Sequence, residues 1–528
     1  MLSGYRDKGG VIIKNHFLKL HQGDISGIAL VITNNLVHFI IVISTLTALG
    51  WPNYLVYFRV VPGMAIGVLI GGFYYAYMGF ELARKEKRTD VTAIPFGIST
   101  PAMFVFLFGI ITPLQFVLDD PEMVWRASVA ACFLGGLIEF IGGFIGPWLK
   151  ENIPRAAMLG TISGIAFIWM ATQGVFDLFG DPVLGLPLLL LAIMGLFGGY
   201  LFFRKISPFV VAIVGGVLYA LVLGRVQPDF TGIELTLPNP IKTINGMLDG
   251  FRYIAPYLVI IIPMEVYNFL VTMNNVEVAE TAGDKYNVRE AQFVDGSCTM
   301  ISAIFGGIIP NTVWMNHPGL KKSGAGISYA WISGLCIGIM GLFGLFAPLH
   351  SMVPIAVTAV TFLWVGVVIV SHAFKKVNVK HYAAVIIAMI PPVADFIYSQ
   401  ITSAMGYLGV RATPQVDGLP GFSDDITSGL IASGVMWSGV PAIRSGSLVI
   451  GILLGTVTVF IIDRQLRKAG IVFMMAAVLS LFGFIHSATL AFAYRSPFPV
   501  AYTILAVMCF VLSYGASKWF DVSGTNDD

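Results

Sequence analysis

Glu265 stands inside an apolar stretch, Tyr253 to Met273, long enough to cross a bilayer as a helix. An ionised carboxylate at that depth costs roughly 2.5 to 3.5 kcal/mol on insertion scales, so it persists where it faces a cavity or a partner. The chemistry within its reach is binding of a substrate or of a proton. Asn268 at i+3 and Thr272 at i+7 share its helix face, and this polar stripe is expected to look inward. A second polar set, Thr33, Asn34, Asn35 and His38, lies in the first apolar stretch, where an imidazole donates, accepts or takes a proton near neutrality. Two readings of it stand: direct contact with a ligand, or an interhelical histidine supported by structural asparagines.

Other acids fall within apolar runs. Glu139, flanked by Gly135, Gly136, Gly142 and Gly143, is expected to tie closely packed helices through hydrogen bonds to exposed backbone. Asp395 follows Pro391-Pro392, and Asp463 is expected at an interface, paired with Arg464. HExxH, GxSxG and the dipeptide Gly-Lys never occur, so the chain carries no metalloprotease, nucleophile-elbow or P-loop signature. No enzyme activity and no cofactor are expected, and active transport must draw on an ion gradient.

The elements that position these residues follow from composition. With 528 residues, 56% hydrophobic and 11% charged, the chain has too few charges to solvate a globular surface of its size; it is an all-α polytopic protein of the lipid bilayer. The net charge of +2 is spread in short clusters between apolar runs, which is no footprint for nucleic acid. Cys132, Cys298, Cys336 and Cys509 read as small apolar fillers without disulfides. Met1 to Asp24 carries Arg6, Lys8, Lys14 and Lys19 but no apolar core with a cleavage site, so no cleavable signal peptide is expected.

At about 20 apolar residues per span, about sixteen passes are expected. They lie near 26–49, 57–80, 91–113, 127–148, 156–177, 184–203 and 207–225, then 252–275, 291–309, 310–326, 327–348, 353–372, 380–400 and 446–463, with two more at 470–491 and 497–517. Alternate loops carry Arg84, Lys85, Lys87 and Arg88; Lys150 and Arg155; Arg204 and Lys205; Lys285 and Arg289; Lys321 and Lys322; Lys375, Lys376 and Lys380; and Arg464, Arg467 and Lys468. That bias puts both termini in the cytoplasm.

Two segments are poor continuous helices: Ile94-Pro95-Phe96-Gly97-Ile98-Ser99-Thr100-Pro101, and Ile309-Pro310-Asn311-Thr312 through His317-Pro318-Gly319. Proline and glycine interrupt the backbone ladder there. They fall third and tenth, matching positions if the first fourteen spans are two sets of seven. An odd number of spans inverts the second copy, and paired interrupted segments point to a transporter's binding site.

The run Phe293-Val294-Asp295-Gly296-Ser297-Cys298-Thr299-Met300-Ile301-Ser302-Ala303-Ile304-Phe305-Gly306-Gly307, followed by Pro310-Asn311-Thr312, resembles the nucleobase/cation symporter 2 family of xanthine, uracil and ascorbate permeases. Pro95 to Pro101 and His38 fit the same pattern, and the resemblance covers about residues 25 to 465. It implies seven plus seven inverted helices, a core (spans 1–4 and 8–11) and a gate (spans 5–7 and 12–14), and a homodimer. It also implies a substrate held between the broken segments, with Glu265 accepting ring N–H groups of a base and its protonation linked to the cycle. Three positions depart from the family: Asn316 where Glu or Gln is common, Phe269 where proton-coupled members carry histidine, and Lys321 and Lys322 just after Gly319. These lysines either snorkel to the cytoplasmic interface or attract an anion.

The expectation is therefore a secondary active transporter in the plasma or inner membrane, taking up a nucleobase with H+ or Na+ by alternating access. Its substrate-binding residues are Glu265, Asn268, Phe96, Gly97, Ser99, Thr100, Asn316 and His317, and its ion-coupling residues are Glu265 and His38. Residues 1–225 and 226–465 form the two repeats; 466–528 adds two spans and a tail. The alternatives are an anion transporter of the same fold, which Lys321, Lys322 and uncharged Asn316 would serve, and a non-transporting sensor or scaffold, for which the last two spans leave room.

Overall fold

The computed structural model describes residues 20–200, 208–226, 233–414, 419–487, 491–493 and 495–519. The N-terminal basic residues Arg6, Lys8, Lys14 and Lys19, the loop pair Arg204 and Lys205, and the tail past Trp519 lie outside the described residues. Among those described, six helices are long and apolar enough to cross a membrane: Gln22–Ala48, Asn53–Glu86, Pro121–Phe144, Arg155–Gly180, Ile355–Lys376 and Val379–Tyr407. Two bent pairs, Pro240–Tyr257 with Ile260–Thr281 and Ser328–Leu342 with Phe346–Met352, raise that to eight if each is one span. Shorter apolar helices run over Thr100–Gln115, Pro182–Gly195, Val211–Val222, Ser447–Ile462 and Phe498–Tyr514.

The chain forms two compact units. The first comprises Met1–Leu149, Gln173–Ile254 and Met264–Trp364. Its site-bearing elements are α1 (Gln22–Ala48), α2 (Val61–Glu86), β1 (Phe96–Ile98), α3 (Thr100–Phe104), α4 (Pro121–Asn152, as far as Leu149), α5 (Leu258–Thr281, from Met264), α6 (Val288–Ile304), β2 (Asn311–Val313), α7 (His317–Lys322) and α8 (Ser328–Leu342).

Proline dictates the two strands. A residue before proline avoids the α region, so Ile94 before Pro95 and Ile309 before Pro310 start extended segments. Pro101 and Pro318 then sit in the first turns of α3 and α7, where a missing N–H costs nothing. The extended pieces pair antiparallel, with Phe96 opposite Val313, Gly97 opposite Thr312 and Ile98 opposite Asn311. The pairing continues at both ends through Ser99 N to Pro310 O (2.9 Å) and Trp314 N to Pro95 O (2.8 Å). All six strand residues are buried, so each helps satisfy backbone groups that have no water to turn to. The two strands lie against α2, α6 and α1.

The second unit comprises Lys150–Thr172, Ala255–Pro263 and Val365–Asp528. Helices Arg155–Ile165, Tyr382–Tyr407 and Ser447–Ile462 pack mutually. Small residues let them approach: a Cβ added at Gly455 would meet Ala157 and Ala388 at 2.8 to 3.0 Å. Helices Leu466–Leu481 and Phe498–Trp519 pack together beside them. The 401–445 segment holds a short strand pair, Thr413–Pro414 with Pro420–Gly421, and helices Asp424–Ala432 and Val440–Arg444. Trp437 stacks on Tyr398 (5.5 Å) and Phe422 (5.1 Å). Arg444 lies 4.7 Å over the Tyr398 ring with its Nε 3.5 Å from Asp395. Asp463 does not pair with Arg464 as expected; Lys380 Nζ (2.7 Å) and His381 Nε2 (2.9 Å) take it instead. Arg464 turns back in a left-handed conformation, φ 58°, and adjacent side chains at such a turn diverge.

Candidate substrate and ion site

Glu265, Asn268 and Thr272 on α5 are fully buried, and their stripe meets both strands. Ser99, which follows β1, donates to Asn268 Oδ1 at 2.7 Å. The same amide's Nδ2 lies 3.3 Å from the Asn311 carbonyl on β2, 3.4 Å from Glu265 Oε2 and 3.3 Å from Glu139 Oε1 on α4. One amide thus connects the two extended segments and two acids. Glu265 Oε1 has no hydrogen-bond partner and lies over Gly135, where an added Cβ would come within 2.8 Å of it.

Thr272 opens a second layer. Its hydroxyl donates to Asp295 Oδ2 (2.6 Å) and lies 3.0 Å from Thr312 Oγ1. Asp295, fully buried on α6, also accepts from Val313 N (3.1 Å) and from the Tyr75 hydroxyl on α2. Asn275 Nδ2 holds the Val313 carbonyl (2.8 Å), and Thr299 Oγ1 accepts from Asn311 N (3.0 Å). β2 is therefore fixed by side chains of α5 and α6. Nothing in the sequence marked Asp295 except its place in the run after Phe293; a lone acid in a helix looks the same whether it meets solvent or a strand.

β1 is held from α1. Asn35 Oδ1 accepts from Ile98 N (3.1 Å) while its Nδ2 donates to Val31 O (3.0 Å). His38 Nε2 meets Thr100 Oγ1 at 2.6 Å, and its ring centroid lies 6.1 Å from that of Trp314, whose indole N–H donates to Ile98 O. Gly97 sits where any Cβ would strike Asn35 and Trp314, so the sequence can place only glycine there without moving both. Phe96 packs on Tyr75 at 5.1 Å.

His317 belongs to a different group. Its Nε2 faces two acceptors, Asp284 Oδ2 (3.1 Å) and Thr92 O (2.9 Å), so that nitrogen carries the proton. Asp284, in the α5–α6 loop, also takes Lys321 Nζ (2.5 Å), Arg88 Nη2 (2.8 Å) and Thr92 N (3.1 Å). Burial pushes its carboxyl up, but the hydrogen bonds from His317, Lys321 and Thr92 outweigh that and hold it at about 2. Lys321 is thus engaged by an acid and by the Asp90 carbonyl (3.1 Å). Lys322 is exposed. Asn316 is half-buried at the start of α7, its carbonyl accepting from Leu320 N. So Glu265, Asn268 and Ser99 come together, with Thr100 and His38 paired beside β1, while His317 stands with Asp284.

Among the described residues no Lys, Arg or His forms an ion pair with Glu139, Glu265 or Asp295, and no group of three potential ligands suits a metal ion.

Comparison with curated proteins yields no match. Among solved structures, the transmembrane domain of a cyanobacterium bicarbonate transporter, BicA, superposes with a TM-score of 0.49 at 16% identity, covering 74% of this chain and 97% of that one. The family model for xanthine/uracil permeases, described as "Permease family", matches residues 89–394, narrower at both ends than the sequence resemblance. That stretch contains β1, α4, α5, α6 and β2 and is more than half of the chain, and the buried acid, the bridging amide and both proline-bounded strands all fall within it. The chain is a membrane transporter belonging to this permease family.

Proposed function

We propose that the protein is a secondary active carrier that takes up a nucleobase, a purine or a uracil-like ring, coupled to H+ or Na+ by alternating access. The observation that carries this reading is the free Oε1 of buried Glu265 beside an amide bound to both strands. A planar ring with N–H donors and carbonyl acceptors matches a carboxylate flanked by amide and strand-end groups. In this reading Asn268, Ser99, Thr100, Phe96 and Gly97 line the bound ring, His38 acts through Thr100, and Asn316 and His317 approach from α7 when the carrier changes state. The seven-plus-seven inverted arrangement, the core and gate, the homodimer, the plasma or inner membrane location and the cytoplasmic termini complete the reading.

Anion carriage rests on Lys321, Lys322 and uncharged Asn316; of these Lys321 is ion-paired with Asp284 and Lys322 is exposed, which favours the base. The test is uptake of radiolabelled uracil, xanthine and hypoxanthine, and of small oxyanions, into vesicles with imposed pH or Na+ gradients. Saturable base uptake driven by one gradient is expected. An absence of response to every base rejects the cargo, and oxyanion uptake in its place establishes the alternative.

A further inference from the structure

The sequence reads Glu139 as a tie between helices through backbone hydrogen bonds. The tie is present but runs to a side chain, not to backbone: the fully buried carboxylate on α4 meets the Asn268 side-chain amide on α5. Gly135 and Glu139 are one turn apart on α4 and so lie on one face. Gly135 leaves the space that the Glu265 carboxylate fills, and Glu139 reaches the same amide as Glu265.

That amide is oversubscribed. Ser99 fixes its oxygen, which leaves two N–H donors for three acceptors: Glu139 Oε1, Glu265 Oε2 and the Asn311 carbonyl. All three lie at 3.3 to 3.4 Å, so none is preferred by distance. The other titratable groups facing Glu139 are Asp295 and Cys298 on α6, Tyr75 on α2, and Cys132 on α4 itself. Asp295 has three donors of its own, the hydroxyls of Thr272 and Thr299 also bear on Glu139, and no cation is ion-paired with the group among the described residues. Two carboxylates that share one donor without a cation disfavour double ionisation.

Resting on the reading of Glu265 as the base-binding acid, we propose that Glu139 is the second proton site of the carrier and shares a single proton with Glu265. When Glu265 is ionised to accept ring N–H groups, the proton resides on Glu139; when the cargo leaves, it returns to Glu265. The balance is one proton exchanged between two carboxyl groups, with the net charge of the pair unchanged. Asn268 is the positioning residue, its amide turning its N–H groups toward whichever acid is ionised.

The test is an infrared pH titration of the purified full chain, following the carboxylic C=O stretch, in the wild type and in Glu139→Gln, Glu139→Asp and Asn268→Ala. The expected result is a coupled two-step titration in the wild type, as for interacting sites. Glu139→Gln should remove one band and shift the other. Asn268→Ala should uncouple two bands that both persist, and Glu139→Asp should restore coupling. A Glu265 band that titrates identically with and without Glu139 overturns the proposal, as does coupling that survives Asn268→Ala. Uptake of radiolabelled uracil and xanthine supplies the second arm: Glu139→Gln should flatten the pH profile at least tenfold between its extremes. If the wild type takes up neither base, the cargo reading fails, and the infrared titration still decides Glu139. If Glu139→Gln does not fold, Glu139→Asp and Asn268→Ala decide it.

Discussion

A missing side chain at Gly135 and a free carboxylate oxygen at Glu265 describe one local fact from two sides. The acid occupies the space that a Cβ at position 135 would crowd, and the oxygen left over is the group a ligand would engage in the proposed reading. Replacing Glu265 by Gln keeps the shape and removes a charged acceptor, a hydrogen bond worth about 1.5 to 3 kcal/mol. If the proposed cargo holds, affinity for uracil or xanthine should then fall about ten- to a hundredfold, read by calorimetry on purified protein; full affinity in E265Q would remove the acid from binding. Gly135→Ala tests the same contact from the other side. Its Cβ would come 2.8 Å from Oε1 and 2.9 Å from the carboxyl carbon, so the acid must shift, whereas the helix itself gains a better former. Uptake should drop sharply with the thermal midpoint nearly unchanged, and a variant that transports normally would mean the carboxylate is free to lie elsewhere.

At the scale of elements, the strands depend on groups far away in sequence. β1 is tied by Asn35 and β2 by Asp295, and the residues leading into β1 are tied by the Asp284 knot through Thr92. Asp284 is ionised in the fold down to about pH 2, against 3.8 for an unperturbed aspartate. A depressed carboxyl stabilises the fold above its unfolded value and loses that contribution as pH falls through the folded value. The thermal midpoint should therefore decline on acidification from about pH 5 to 3 with a smaller slope in Asp284→Asn, measured by scanning fluorimetry; equal slopes would show that the knot contributes no acid sensitivity. Asp284→Ala should also destabilise at neutral pH, by about 3 to 5 kcal/mol if the buried partners stay uncompensated. The two kinds of tie differ in how legible they were. Pro95, Pro101, Pro310 and Pro318 announce the strands because proline acts on its own backbone, and Glu265, Asn268 and Thr272 announce one face because helical spacing is local. Asp284, Asp295 and Glu139 could not be read this way. Their partners lie up to 220 residues off, and no periodicity links an acid in a loop to a histidine in another segment.

For the molecule as a whole, membrane residence and the permease family were legible because composition and the run from Phe293 to Thr312 are dense signals, whereas the purpose of the last two helices was not. Their packing supplies a physical role within the second unit. His486 lies in the turn after Leu466–Leu481 with a left-handed φ of 57°, a region few residues other than glycine adopt and in which histidine is among the better tolerated. Its Nδ1 faces the Ala442 carbonyl at 2.9 Å and so donates, which leaves Nε2 to accept from the Tyr502 hydroxyl at 2.8 Å. The ring stacks on Phe498 at 4.0 Å, and the His486 N–H donates to Ser445 O at 2.8 Å. One buried histidine thus joins Val440–Arg444, which carries Arg444, to the final helix. His486→Ala removes a donor and an acceptor, leaving the buried Ala442 O and the half-buried Tyr502 OH without this partner at about 1 to 3 kcal/mol. A thermal midpoint lowered by a few degrees is expected. The hydrogen-bond partners of Glu265 and Asn268 all lie in the first unit, so base-induced stabilisation of H486A should match that of the wild type. A variant with an unchanged midpoint would strip the histidine of its structural role. One that folds but loses its response to base would instead tie the added helices to the transport cycle itself.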